Sequence, residues 1–245
     1  MTLLPKALGI VCAVFLSLLA GQAQALEMLH FVEAKDQLRA IENASGLKLT
    51  DDGTVYVTSQ EKGTILKIVD GKIEASSLVP SVFKDSDLGG IEVFSDGKLA
   101  VVNEGSGRVA VLGSDLGLIT RFSRSGTSPG ELRAPKPIAV SINKNIYVGD
   151  VKNRQISVFN DQGLYLHSFG RHDSSVGDLL KPTHVSIDAK ENVYVLEGPD
   201  RLSIFDLYGK LISRIEFSDL RELFGNVPEI SAMTTDLNGI LYLGD

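Results

Sequence analysis

From about residue 40 to its last residue the chain repeats one pattern: apolar strand, short polar turn, second apolar strand, polar break, third strand. The second strands mark it best, at Thr54–Val57, Lys98–Val102, Asn145–Val148, Asn192–Val195 and Ile240–Leu243. Their central residues, Tyr56, Ala100, Tyr147, Tyr194 and Tyr242, stand 44, 47, 47 and 48 residues apart. Ten residues ahead of each centre come Gly46, Gly90, Pro137, His184 and Ala232, which open the first strands. Third strands follow at Ile65–Ile68, Val109–Leu112, Ile156–Phe159 and Leu202–Phe205, and fourth strands at Leu118–Phe122, Leu164–Phe169 and Leu211–Phe217. Turns such as Asp51–Gly53, Ser95–Gly97 and Leu237–Gly239 carry residues that tolerate positive φ. Four short antiparallel strands every forty-odd residues are the pattern of a propeller blade. A lone blade leaves both faces wet, so repeats must stack and fold as one domain, here 26–245, rather than five. Helix is expected only as a turn at Asp219–Phe224.

Within this frame Gly130–Pro135 and Gly177–Pro182 resemble the inter-blade G-x-F-x-x-P signature of NHL repeats. Pro137–Asp150 is similar to that family's GIAVDxxGNIYVAD and Asn153–Phe159 to its NxRIQVF. The first two repeats, and the break at Ser76–Leu88, depart from the signature. The resemblance implies an all-β, six-bladed β-propeller of four-stranded blades, of which about four and a half are present. Asp245 stands three residues past Tyr242, as Asp150 does past Tyr147, so the sequence stops at the end of a second strand and a truncated ring is expected. Leu29–Val32 is the expected closing strand.

Charge and cysteine content narrow the partners. The 24 basic and 31 acidic side chains leave a net charge of −7, which disfavours a protein whose affinity rests on coating phosphate backbones, so no nucleic-acid partner is expected. Cys12 is the only cysteine, which excludes internal disulfides and thiolate metal centres. Before the repeats, Lys6, the apolar run Ala7–Ala20 and the small residues Ala23 and Ala25 read as a signal peptide (1–25) cleaved after Ala25. The run is shorter than the roughly 20 residues of a transmembrane helix, so no stable span is expected after cleavage. A periplasmic or secreted location follows.

Acid and arginine recur at the junction of second and third strands: Asp150 with Arg154, Glu197 with Arg201, Glu104 with Arg108. Catalytic groups do not repeat with every blade, so these read as structural pairs bound by charge-assisted hydrogen bonds. Positions that break the repeat carry more information. His184 stands where the other repeats have Gly46, Gly90, Pro137 and Ala232, near one mouth of the central channel. Arg124 and Arg133 on one inter-blade link, and Arg171 on the next, are further ligand-binding candidates. These features point to a binding scaffold for a protein, peptide or glycan, with no cofactor and no catalytic residue assigned. The alternative is a metal-dependent propeller lyase or hydrolase, its ion held by His184, Glu92 and Glu229.

Overall fold

The computed structural model describes residues 44–60, 63–78, 83, 87–171, 177–198, 201–224, 230–236 and 239–244. The expected signal segment, the Leu29–Val32 strand, Glu229 and Asp245 lie outside them.

Among the described residues eighteen strands form four complete blades and part of a fifth. Blade one comprises β1 (Ala44–Leu49), β2 (Val55–Ser59), β3 (Thr64–Val69) and β4 (Lys72–Leu78). Blade two holds β5 (Leu88–Val93), β6 (Leu99–Asn103), β7 (Arg108–Leu112) and β8 (Leu118–Phe122). Blade three holds β9 (Pro135–Val140), β10 (Ile146–Asp150), β11 (Gln155–Phe159) and β12 (Tyr165–Phe169). Blade four holds β13 (Pro182–Ile187), β14 (Val193–Glu197), β15 (Arg201–Phe205) and β16 (Leu211–Glu216). After the helix α1 (Phe217–Phe224) come β17 (Ala232–Thr235) and β18 (Leu241–Gly244). Every sheet is antiparallel and ordered as its strands occur in the chain, with the first strands of successive blades in contact along the channel side.

The second strands of blades two to four are the clearest in sequence because both of their faces are buried. In β6, Leu99 and Val101 pack with Tyr56 and Ile65 of blade one, whereas Ala100 and Val102 pack with Ile138, Ile146 and Val148 of blade three. Likewise Val193 and Val195 face Tyr147 and Ile156, and Tyr194 and Leu196 face Met233 and Leu241. Two-sided burial turns an alternating pattern into a continuous apolar run, and β6, β10, β11 and β14 are buried at every position.

The outer strand of blade one, β4, has no counterpart among the strands expected from the repeat and runs into the break at Ser76–Leu88. It pairs with β3 through a two-residue turn at Asp70 and Gly71, whose φ values of 49° and 72° are those of a tight primed hairpin turn. An outermost strand needs no apolar run, and Lys72, Glu74 and the serines concealed it. The helix α1 also begins two residues before the expected turn, with Phe217 buried beneath it.

Turns between first and second strands share one geometry. Gly53, Gly97 and Gly239 adopt φ of 85°, 81° and 83° and donate to Thr50, Phe94 and Asp236 carbonyls. Lys144 and Glu191 hold the same position without being glycine, at 64° and 62°. Strain of this kind persists where contacts over-determine it. Lys144 Nζ reaches Asp96 at 2.8 Å and Asn143 Nδ2 reaches Glu191 at 2.9 Å, so both turns stitch neighbouring blades together.

Candidate functional site

Strand order places the turn from second to third strand, and the link leading into each blade, at one end of the ring, here the upper end. That end is braced by one device, seen three times among the described residues. The residue after the second strand donates its N–H to a carbonyl of its own blade's incoming link: Glu104 to Asp87, Val151 to Ala134, Gly198 to Lys181. The last residue of the second strand then supplies a side-chain acceptor. Asp150, fully buried, accepts from Arg133 N at 2.7 Å, Ala134 N at 3.1 Å, Asn153 N at 3.0 Å and Asn153 Nδ2 at 2.8 Å. Glu197 accepts from Leu180 N at 2.7 Å, Arg201 Nη2 at 2.7 Å and Ser203 Oγ at 2.5 Å.

The three expected acid–arginine pairs fare differently. Glu197 and Arg201 meet as an almost wholly buried ion pair, and Arg201 also donates to the Asp178 carbonyl at 2.6 Å. Asp150 does not pair with Arg154; backbone N–H groups fill its lone pairs, and Arg154 stands exposed on the turn with φ of 53°. Glu104 does not pair with Arg108 either. The structural equivalent of Asp150 in blade two is Asn103, whose Oδ1 accepts from Ser106 N and Oγ. Counting three residues on from each second-strand centre, Ala100 to Asn103 and Tyr147 to Asp150, identifies Asn103 from the sequence.

On the channel side, each of β1, β5, β9 and β13 carries an extra residue near its start, opposite the second strand. Such bulges re-aim side chains. His184 lies directly after the bulge in β13, paired with Leu196, and its Nδ1 is buried with no hydrogen-bond partner. Burial first, and the charge of Lys136 on the neighbouring β9 second, hold its pKa below the ordinary imidazole range. Glu92 of the alternative metal set is engaged elsewhere, its Oε1 lying 2.5 Å from Lys48 Nζ. Among the described residues no three His, Cys, Asp or Glu side chains are grouped as metal ligands. Glu229, the third member of that set, lies outside those residues.

The link between blades two and three is tied down by hydrogen bonds. Ser123 Oγ donates to Gly130 O, Leu132 N to Arg124 O, and Asn153 Nδ2 to Gly126 O. Arg124 Nε binds Glu131 at 2.7 Å while the Ser128 N–H binds the other carboxylate oxygen, and these two contacts hold the Glu131 carboxyl below its usual range. With Phe159, Gly163 and Tyr165 this link lines an open cleft of about 360 Å³. Arg133 and Arg171 are exposed on their links. The sequence reading overlooked Lys136, Lys152 and Lys181, which are exposed at the same end. Their net effect was masked by the acidic total.

Residues 131–242 match a family model described as a 6-bladed beta-propeller. Virginiamycin B lyase from Staphylococcus aureus has a similar structure, with a TM-score of 0.63 and 14% identity over 82% of this chain and 62% of that one. A protein of unknown function from Bacteroides caccae aligns with a TM-score of 0.61 and 14% identity, over 82% and 69% of the two chains. Hydrazine synthase from Kuenenia stuttgartiensis aligns with 0.58 and 16%, over 79% and 51%. No match to a curated protein sequence is found. The chain spans less than two thirds of the lyase's length, and identities this low establish the β-propeller architecture without the activity.

Proposed function

We propose that the chain is an exported NHL-type propeller acting as a binding scaffold, which recognises a protein, peptide or glycan through the upper loops and the channel mouth. What chiefly supports this reading is the bracing of the upper end: Asp150 and Glu197 spend their acceptors on holding their own links, and His184 Nδ1 is left buried and unpaired at the mouth. A rigid frame presenting loops is the usual basis of recognition. Export with cleavage after Ala25 would place the partner outside the cytoplasm.

A binding survey tests this with peptide and glycan arrays probed by the full chain, by Lys136→Glu at the upper end and by Lys210→Glu at the opposite end. The scaffold reading expects a ligand whose binding Lys136→Glu weakens and Lys210→Glu leaves alone. Stoichiometric metal in the purified protein, lost in His184→Ala, would instead support the lyase or hydrolase reading. Intact mass of the exported product checks cleavage.

A further inference from the structure

The two ends of the propeller differ in charge. At the upper end of blades three and four, Arg133, Lys136, Lys152, Arg154 and Lys181 are exposed and make no ion pair. Of the described acids at that end, Asp150 is spent on backbone N–H groups, Glu131 on Arg124 and Glu197 on Arg201, and Asp178 carries an interaction of its own; away from the channel, Glu216 at the outer edge of blade four lies 3.9 Å from Arg201, and Asp219 and Glu222 are exposed on the helix that follows. At the lower end, turns carry Asp51, Asp52, Asp96, Asp161, Asp206 and Asp236. A net charge of −7 therefore conceals a cationic sector around the channel mouth. Such a sector raises the local concentration of anions and steers their approach.

We propose that this sector binds an acidic polysaccharide, its carboxylates bridging the Lys136 and Lys181 starts of the inner strands and the Lys152 and Arg154 turn. The proposal rests on the scaffold reading and names the ligand class for its upper face. The cations sit on several separate elements of two blades, a distribution that a flexible chain with a charge on each residue can span. A protein partner usually needs buried aromatic or apolar anchors. Leu180 is the one large apolar side chain strongly exposed among the described residues of that sector.

The test uses the full chain and polygalacturonate as probe, with dextran, poly-glutamate and inorganic polyphosphate as comparisons. Polygalacturonate is expected to bind, to weaken steeply with added salt, and to lose about tenfold in affinity in each of Lys136→Glu and Lys181→Glu. Lys210→Glu should bind as the parent does, and unchanged urea midpoints show that the variants are folded. Tighter binding of poly-glutamate or polyphosphate than of polygalacturonate overturns the proposal, as does equal weakening by Lys210→Glu. A neutral glycan or peptide that Lys136→Glu displaces would overturn the polycarboxylate assignment and leave the scaffold reading standing. Absence of any ligand sensitive to Lys136→Glu would remove both.

Discussion

Replacing Glu197 by glutamine keeps the side-chain volume and removes one charge from a site with 0% side-chain exposure. Three donors converge there: Leu180 N, Arg201 Nη2 and Ser203 Oγ. An amide offers one acceptor oxygen and brings N–H groups of its own against them, so at least one donor is orphaned. Breaking a buried ion pair by removing one partner costs about 3–5 kcal/mol. Arg201 retains the Asp178 carbonyl and 12% side-chain exposure, which places the expected loss at the lower end, about 3 kcal/mol. For a domain of this size that is a fall in Tm of about 6–12 °C. Blade three shows how the site works without an arginine: Gln155 occupies the position of Arg201 and donates to Ser157 Oγ at 3.0 Å. Glu197→Gln combined with Arg201→Gln is therefore expected to recover at least half of the loss. Urea unfolding of the three variants and the parent, fitted with a common m, measures it. A loss below about 1 kcal/mol for Glu197→Gln, or further destabilisation on removing Arg201 in that background, would refute the argument.

Asp150→Asn should also destabilise, by about 1–3 kcal/mol, but Arg154→Ala should not alter that cost because Arg154 does not touch the carboxylate; a double-mutant cycle decides. Gly97→Ala meets open space and is expected to cost only the positive-φ penalty of about 1–2 kcal/mol, whereas at Gly107 a Cβ would lie 2.3 Å from Leu132 O and 2.7 Å from Ser125 backbone, so Gly107→Ala should cost clearly more in the same urea assay. The Lys144 hydrogen bond lowers the Asp96 pKa to about 2, so its stabilisation is complete above the unfolded carboxylate range and disappears as pH falls toward 2; stability curves of Lys144→Met and the parent should converge there and separate above about pH 4. His184 has the opposite charge type and a lowered pKa, so unfolding takes up a proton below about pH 6.5 and stability falls as pH drops through that window; His184→Leu should flatten the component, read as the difference in urea midpoint between pH 7 and 5.5.

The repeat period, the strand order and the two-sided apolar strands were legible in the sequence because they follow from local chemistry. A strand buried on both faces is apolar except where a buried polar side chain finds its hydrogen-bond partners, as Asp150 and Glu197 do at the strand ends, and a turn with positive φ favours glycine or asparagine. Outer strands obey no such rule, which is why β4, with Lys72, Glu74 and its serines, was not visible. His184 was legible as a break in the repeat, but its buried, unpaired Nδ1 depends on how β9 and β13 pack. Asp150 shows most clearly what sequence spacing leaves open. An acid four residues before an arginine suggests an ion pair, yet the β10–β11 turn points Arg154 to solvent and the incoming link brings two backbone N–H groups to the carboxylate instead. At Glu197 the same spacing does yield a pair, because β15 begins at Arg201 and keeps it against the sheet. Charge followed the same logic. The chain's composition determined its total of −7, while only the antiparallel order of each blade, which sends alternate turns to opposite ends, decided that the unpaired cations of blades three and four gather around one mouth of the channel.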